Sequence, residues 1–332
     1  MIQTQWVVAR LQQLWPNLDI AIESIHTTGD NNTHMPLTKI GGDGVFVMEI
    51  ERALSEKHID LAVHSLKDLP TAQPLGLRII AAGTREDVRD VLVWHPSYLG
   101  AIPNGSPDEV SSPLLSSLRA ISYGRPQALL RIGTCSMRRT AQMRALFPGA
   151  DILPLRGNVD TRLRKLDAGD YDAIVLAAAG LHRLHIHERL AKRMTYLPVE
   201  TLLPAPGQGA LALEIRDDPE AQALIAPLID PETQATTTAE RMFMRRLGAG
   251  CYLPIAAYGE IVEGQLTLQG LVISLDGQSQ VRIRQSIPWT AATPIESAGQ
   301  LGVQLAEQAL AQGAAGIIAA LNDTRIQERQ HV

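Results

Sequence analysis

Residues 129–146 read LLRIGTCSMRRTAQMRAL, and they predict a strand over 129–133 that leads directly into a helix over 136–146. The same alternation is predicted downstream at 151–155, 158–168, 172–178 and 211–215. Strands that alternate with helices are typical of open, mostly parallel sheets, whose ligands bind at the carboxyl ends of the strands. We therefore expect an α/β fold whose site lies at such strand ends.

The sequence on either side of this stretch extends the architecture. Upstream it predicts a helix over 2–14 and strands at 18–25, 60–64, 77–82 and 91–94. Downstream of Pro231 it predicts a smaller α+β unit, with helices at 232–247 and 295–312 and strands near 255–261, 265–273 and 280–287. Two polar stretches interrupt the pattern. We expect the glycine-rich one at 27–44 to be a lid or binding loop, and the proline- and serine-rich one at 95–127 to be a surface insertion.

The composition is that of an ordinary globular protein, with 45% apolar and 20% charged residues among 332. A formal net charge of −5 disfavours a general nucleic-acid binder. No apolar stretch approaches the ~18 residues of a membrane span, and no secretory signal is recognisable. The two cysteines, Cys135 and Cys251, cannot form a disulfide framework, so we expect a cytoplasmic protein that binds neither membranes nor nucleic acids.

The basic residues are strongly skewed, with 25 arginines against 5 lysines. Codon bias would explain the number alone, but position matters, because Arg138, Arg139 and Arg156 lie where predicted strands pass into helices. A helix N-terminus already favours an anion, and a guanidinium grips a carboxylate with two parallel hydrogen bonds. We therefore favour anion binding by these three arginines, whereas Arg144 and Arg164 fit a solvated helix face. Ser136 is expected to cap its helix or to bind the same anion.

Two further segments carry candidate chemistry. Asp68, in His-Ser-Leu-Lys-Asp, follows a predicted strand, and a carboxylate there could act as a general acid or stabilise a developing cation. The alternative is a surface ion pair with Lys67. Cys251 lies in a Gly-Ala-Gly-Cys loop, where a thiol could be a nucleophile or a covalent attachment point, with Cys135 as the competing candidate. No histidine lies at a metal-ligand spacing from either cysteine.

Seven segments, taken in order, resemble the porphobilinogen deaminase (hydroxymethylbilane synthase) family. They are 36–46 (PLTKIGGDGVF), 64–70 (HSLKDLP), 133–139 (GTCSMRR), 155–162 (LRGNVDTR), 176–181 (LAAAGL), 203–210 (LPAPGQGA) and 250–251 (GC). Each segment alone is weak, but the ordered set is specific and covers nearly the whole chain. The resemblance implies two doubly wound domains like those of periplasmic binding proteins, followed by a smaller C-terminal α+β domain.

The resemblance also implies a reaction and a cofactor. The family joins four porphobilinogen molecules head to tail with loss of ammonia, onto a dipyrromethane primer held by a thioether, and water then releases the linear tetrapyrrole. The primer would be attached to Cys251, and the catalytic carboxylate would be Asp68. Cofactor-binding positions are implied for Lys67, Ser65, Thr134, Ser136, Arg138, Arg139 and Asp30. Substrate-binding positions are implied for Arg156, Arg162, Arg183, Asn158, Gln208, Lys39 and Phe46.

The resemblance sets the expected domain boundaries and partners. Domain 1 is expected at 1–83 and 208–226, domain 2 at 89–203 and domain 3 at 231–332, in a monomer. The family begins with a strand carrying an Arg-x-Ser segment, so we also expect that Met1 is a misassigned or truncated start. The alternative function is a catalytically impaired, two-lobed relative that binds polycarboxylates without turning them over.

Overall fold

The computed structural model describes residues 1–25, 47–72, 74–99, 129–248 and 253–330, the side chains of 324–330 excepted. The strands are β1 (Leu61–Ser65), β2 (Leu77–Ala82), β3 (Asp90–Trp94), β4 (Leu130–Gly133), β5 (Ala150–Leu153), β6 (Ala173–Ala177), β7 (Met194–Leu197), β8 (Leu211–Arg216), β9 (Ile255–Val262), β10 (Gln265–Ile273) and β11 (Gln280–Pro288). The helices are α1 (Ile2–Leu14), α2 (Met48–Ser55), α3 (Met137–Leu146), α4 (Val159–Asp167), α5 (Ala178–Arg183), α6 (His187–Leu190), α7 (Pro219–Ile225), α8 (Pro231–Arg246), α9 (Ile295–Ala309) and α10 (Ala315–Gln330). Short helical turns of other types lie at Leu66–Asp68, Pro96–Tyr98, Ala191–Arg193, Ala226–Leu228 and Leu310–Ala314.

The first lobe is built on a sheet with the order β1–β8–β2, in which both strand pairs are antiparallel. One face packs against α1 through Val7 and Leu11. The predicted strand at 18–25 is wrong, because these residues form no ladder within the described part of the chain. Leu18 and Ile20 still pack against the same core, so their alternation reflects packing on one face without strand pairing.

The second lobe is built on a five-stranded sheet with the order β5–β4–β6–β3–β7. The alternating residues of β3 point to opposite faces, and residues 91–94 are all 0% exposed, as expected for a strand covered on both sides. Only the β4–β5 and β4–β6 pairs are parallel among the described strands, so the expectation of mostly parallel sheets is wrong. The reason is that β3 and β8 each follow a segment that crosses over from the other lobe, and both enter their new sheet antiparallel to its neighbours.

The third unit is an antiparallel sheet, β9–β10–β11, covered by α8 and α9. The approach of α8 is close: a Cβ built on Gly270 of β10 would lie 2.4 Å from the Phe243 ring of α8. The predicted class, α/β with a smaller C-terminal α+β unit, is thereby confirmed. Most of the insertion expected at 95–127 lies outside the described residues, and the domain boundaries stay predictions. None of the described helices is both long and apolar enough to cross a bilayer.

Two segments, 83–89 and 198–210, cross between the lobes side by side. The backbone N–H of Glu86 donates to the carbonyl of Gly209 at 3.1 Å. Gly209 has a φ of +88°, and a Cβ there would lie 2.3 Å from the Glu86 carbonyl oxygen, so glycine permits the contact. The third unit attaches at the same place, because the buried carboxylate of Glu240 in α8 accepts two hydrogen bonds from Arg85, at 2.7 and 2.9 Å, and one from the Gly207 N–H at 2.6 Å.

Candidate active site

The turn after β1 presents polar side chains above an apolar floor. We call residues 66–70 the Asp68 turn. Leu66 and Leu69 are 2% and 1% exposed and pack against the first sheet, while Asp68 between them is exposed. The N–H of Leu66 donates to the Ala210 carbonyl at 3.1 Å, which ties the turn to the segment that leads into β8. The alternation of apolar and polar residues therefore places the carboxylate of Asp68 at the surface of the first lobe.

Lys67 lies beside Asp68 and is half-buried. Its Nζ donates to Oε1 of Gln208 at 3.4 Å. Burial lowers the pKa of Lys67 to about 8, and the charges of Arg139 and Arg138 act in the same direction, while Asp68 and Asp90 oppose them. Lys67 is therefore a cation whose charge can be lost near neutral pH.

Two of the strand-to-helix junctions in the second lobe carry predicted site residues, and the first of them, residues 133–139, holds two buried arginines. Ser136 caps α3, its Oγ accepting from the Arg139 N–H at 3.4 Å. Arg138 and Arg139 are 4% and 6% exposed, and both meet Asp90 at the start of β3, which is 0% exposed. Asp90 Oδ2 accepts from Arg138 Nη1 at 2.7 Å, and Oδ1 accepts from Arg139 Nε and Nη2 at 3.0 and 2.6 Å.

The charges around Asp90 do not balance. Burial alone would raise the pKa of Asp90, but Arg138 and Arg139 lower it well below its usual range. One carboxylate therefore faces two guanidinium groups, and an excess of positive charge remains. Arg138 Nη1 also donates to the Leu203 carbonyl at 2.8 Å, but its buried Nε has no hydrogen-bond partner among the described residues. Such a buried donor is costly unless a further acceptor binds there.

The second junction, residues 155–162, is more open. Asn158 caps α4, its Oδ1 accepting from the Thr161 N–H at 2.9 Å. Arg162 Nε donates to the Gly157 carbonyl at 2.6 Å. Burial and the charge of Arg139 lower the pKa of Arg162, while Asp68 raises it. Arg162 is therefore within electrostatic reach both of the first junction and of Asp68 in the opposite lobe.

The structure brings together part of the predicted site. Asp68, Lys67, Gln208, Arg138, Arg139 and Arg162 share one electrostatic neighbourhood. Thr134 is 4% exposed and its Oγ1 accepts from the Ser136 N–H at 3.1 Å. Arg156, at the start of the second junction, is half-buried. Asp30, Lys39, Phe46 and Cys251 lie outside the described residues.

Three predicted residues, Ser65, Arg183 and Gln208, make hydrogen bonds to other parts of the protein. Ser65 shares hydrogen bonds with Gln3 of α1, at 3.0 and 3.4 Å. Arg183 donates to the Gly209 carbonyl at 2.6 Å, so it contacts one of the crossing segments. Gln208 is 1% exposed, and its Nε2 donates to the Val88 carbonyl at 2.7 Å and to Asp90 at 3.1 Å. These contacts hold the frame of the site together. Arg144 and Arg164 lie exposed on their helices, as expected.

Asp90 is the site residue that sequence reasoning missed. Its position offers one signal, because it is a lone carboxylate directly before the apolar run Val-Leu-Val-Trp of β3. An ionised side chain at the start of a strand buried on both faces needs a buried partner. That signal indicates a cation nearby, but it does not say which arginine supplies it.

Comparison with known proteins places the chain in a family. The family model described as "Porphobilinogen deaminase, dipyromethane cofactor binding domain" matches residues 1–223, and the model of the C-terminal domain matches 234–311. The porphobilinogen deaminase of Syntrophotalea carbinolica is 46% identical over 97% of this chain and 92% of its own length. The porphobilinogen deaminase of Chromobacterium violaceum is 42% identical over 97% of this chain and 94% of its own length. Among solved structures, the periplasmic VFT2 domain of Bordetella pertussis BvgS covers 68% of this chain and 83% of its own, at 16% identity and a TM-score of 0.33.

The two family models together cover most of the sequence, and the relatives match it almost from end to end. The enzyme class, a transferase, and the dipyrromethane cofactor that the sequence predicted are confirmed with the family. The chain belongs to the porphobilinogen deaminase family.

Proposed function

We propose that this chain joins four porphobilinogen molecules head to tail, with loss of ammonia, and releases the product by hydrolysis as hydroxymethylbilane. The observation that supports this most directly is an exposed carboxylate, Asp68, within electrostatic reach of a cluster of cations that one buried carboxylate does not neutralise. A substrate that carries carboxylate side chains and develops positive charge at its reacting carbon requires both features. The protein is proposed to work as a monomer in the cytoplasm.

The residues around the first junction fit a dipyrromethane. That group carries carboxylate side chains, and the buried Nε of Arg138 lacks an acceptor among the described residues. We propose that Arg138, Arg139, Lys67 and the polar residues Ser65, Thr134 and Ser136 hold it, with Asp30 contributing, and that Cys251 attaches it. When bound, the cofactor supplies the pyrrole ring to which the first substrate is joined.

Asp68 is proposed as the catalytic residue. As the substrate amine departs, positive charge develops on the substrate, and the carboxylate of Asp68 stabilises it and holds the proton that the ring carbon releases. The apolar floor under Asp68 fixes the turn, so the carboxylate needs little reorganisation.

The remaining residues are proposed to bind substrate or to support those that do. Arg162, Arg156 and Asn158 of the second junction are proposed to bind substrate carboxylates together with Lys39. Phe46, which precedes α2 in the sequence, is proposed to contact the substrate ring. Gln208 and Arg183 are proposed to act through their contacts with Asp90, Lys67 and Gly209. The alternative, a binder without turnover, is not favoured, because the relatives are named as deaminases.

Intact mass tests the attachment. The purified chain should weigh more than its sequence by two linked pyrrole units, and Cys251→Ser should abolish the excess. Cys135, an exposed free thiol, supplies the matched control, because Cys135→Ser should keep the increment. An increment that depends on Cys135 would contradict the assignment of Cys251.

Turnover tests Asp68. Asp68→Asn keeps the shape and removes the charge, so we expect kcat to fall at least ~10²-fold, the lower scale for such groups. Asp170→Asn, at an exposed position of the second lobe, should leave kcat unchanged. A kcat within twofold of the unaltered chain for Asp68→Asn would remove Asp68 from the mechanism.

A further inference from the structure

One side chain of the third unit reaches directly into the Asp68 turn. Arg241 of α8 is half-buried, and its Nη2 donates to the Pro70 carbonyl at 2.6 Å while its Nη1 lies 3.3 Å from the Leu69 carbonyl. Both carbonyls belong to the end of the turn that carries Asp68. A planar guanidinium suits this contact, because its fork spans two neighbouring acceptors at once.

The Asp68 turn is thus held from two sides. At its start, the Leu66 N–H donates to the Ala210 carbonyl of the first lobe. At its end, Arg241 holds two carbonyls from another unit. Leu66 and Leu69 rest on the apolar floor, and the Leu69 N–H donates to the Leu66 carbonyl at 3.2 Å. Arg241 adds a contact from α8 to the backbone that follows Asp68.

The helix that carries Arg241 is itself fixed to the first lobe. Gln234, two turns earlier on α8, accepts from the Ala81 N–H of β2 at 2.8 Å. Glu240 accepts two hydrogen bonds from Arg85 in the first crossing segment, at 2.7 and 2.9 Å. The contacts of Gln234, Glu240 and Arg241 fix the position of α8 relative to the first lobe. Of these three contacts, the one made by Arg241 reaches the residues nearest to Asp68 in the sequence.

The same helix precedes Cys251 in the sequence. α8 ends at Arg246, and Cys251 follows Arg241 by ten residues. The helix that contacts the Asp68 turn is therefore also the described helix nearest in sequence to the proposed attachment residue. A reaction in which one end of a chain is tethered while the other end meets a carboxylate depends on the distance between these two points.

We propose that Arg241 is a positioning residue that fixes the Asp68 turn relative to α8, the helix that precedes Cys251 in the sequence. This rests on the proposed function, since it requires Asp68 to act on a group attached at Cys251. Arg241 acts through the two carbonyls and touches no reacting atom. Its loss would remove the contact between the end of the turn and α8 while the apolar floor stayed, so Asp68 would sample positions away from the reacting carbon and the substrate-binding arginines would stay in place.

The test compares Arg241→Met and Arg241→Lys with a control on the same helix. Arg246→Met removes an exposed pair with Glu307, so it is a matched loss of a guanidinium away from the turn. Intact mass gives the fraction of each protein that carries the cofactor, and rates are expressed per loaded molecule. For Arg241→Met we expect kcat to fall about 10- to 100-fold, the scale of a displacement near 1 Å, with KM for porphobilinogen within about twofold. The kcat of Arg241→Lys should lie between those of Arg241→Met and the unaltered chain, because the lysine ammonium can donate hydrogen bonds but lacks the planar fork of a guanidinium.

The outcomes separate the proposals. A kcat for Arg241→Met equal to that of Arg246→Met overturns the positioning role, and so does a raised KM at unchanged kcat, which would make Arg241 a binding residue. If Arg241→Met does not fold, shown by the loss of its thermal transition, Arg241→Lys decides, and an unchanged kcat there overturns the role. An unaltered chain with no added mass or no turnover of porphobilinogen would instead be a failure of the proposed function.

Discussion

The two junctions of the second lobe have the same sequence character but different surroundings. Each follows a strand, opens with a polar N-cap and carries arginines. At the first junction both guanidinium groups are buried against the carboxylate of Asp90. At the second, Arg162 donates to a backbone carbonyl and has no ion pair within the described part of the chain.

This difference shows that an arginine at a strand end can serve two purposes. At the first junction, part of the positive charge is used inside the protein, where it joins β3 to α3 and fixes the directions of two side chains. At the second junction, Arg162 feels the charge of Asp68 but forms no ion pair with a carboxylate among the described residues, so its guanidinium remains available to a ligand. The first junction is therefore expected to govern stability and the second to govern affinity.

The largest effect is expected at Asp90. Asp90→Asn leaves two buried guanidinium groups without a counter-charge, and removal of one partner from a buried ion pair costs about 3–5 kcal/mol. Urea unfolding should show this loss in the free energy of unfolding. The control is Asp217→Asn, whose side chain is 41% exposed and whose partner Arg78 is 47% exposed, and a loss of at most about 1 kcal/mol is expected there. Equal losses in both variants would mean that Asp90 is not the counter-charge we describe.

The pH dependence of the Asp90 effect has a definite sign. Because the pKa of Asp90 is lowered in the folded protein, the stabilisation is fully present above the ordinary aspartate pKa, about 4, and is lost as the pH falls through the lowered folded value. The difference in the free energy of unfolding between Asp90→Asn and the unaltered chain should therefore be constant from pH 5 to pH 7 and shrink only in strong acid.

The next effect separates the two junctions directly. Arg139→Met breaks a buried pair, so we expect a loss of about 2–4 kcal/mol in the free energy of unfolding, together with a lower cofactor-loaded fraction. Arg162→Met should leave the melting temperature within about 2 °C but raise KM for porphobilinogen about 10-fold, since a charge-assisted hydrogen bond is worth about 1.5–3 kcal/mol. If the two variants lose stability alike, the contrast between the junctions fails.

A smaller effect concerns the titration of Lys67. With a pKa lowered to about 8, the charged form dominates below that pH and is lost above it, so kcat/KM should fall as the pH rises through about 8. The charge of Arg139 lowers this pKa, so in Arg139→Met the fall should move to higher pH. In Arg162→Met it should stay in place. An unshifted profile in Arg139→Met would mean that Lys67 does not sense the first junction.

The smallest effect is expected at the two N-caps. The cap bond of Asn158 is 2.9 Å long and that of Ser136 is 3.4 Å. Asn158→Ala should therefore cost about 1 kcal/mol in the free energy of unfolding, and Ser136→Ala less. A larger loss for Ser136→Ala would show that Ser136 stabilises the first junction by some means other than its cap.

Much of the fold could be predicted because it depends on local pattern. The helix expected at 136–146 is observed as α3 (Met137–Leu146), with the cap that Ser136 was expected to provide. The strand expected at 18–25 failed, because alternation of apolar residues reports burial on one face and cannot report whether a neighbouring strand exists. Asn158 shows a second limit of the sequence patterns. It was matched to a binding motif, but the motif did not indicate that its side chain caps a helix.

The site was harder to predict because its partners are distant in the sequence. Asp90 meets Arg138 and Arg139 only after the chain has crossed between lobes, and no spacing rule connects them. Their place at strand-to-helix junctions predicted that the arginines bind the anionic groups of a ligand, and this stays a prediction. The anion observed at the first junction is Asp90, which belongs to the protein itself. The positions implied for Cys251 and Asp30 are still predictions.

The backbone contact between Glu86 and Gly209 restricts how the two lobes can move. Two bodies joined by a single linker could slide, twist and separate, whereas two crossings in direct contact leave one easy degree of freedom, rotation about the line on which they touch. Gly209 sets the distance between the two crossing segments, because any Cβ there would force them apart. Glu240 fastens the third unit to both crossings near the same line. A change in the distance between the two junctions and Asp68 would therefore come from rotation about this line, and the side chains farthest from it would move the most.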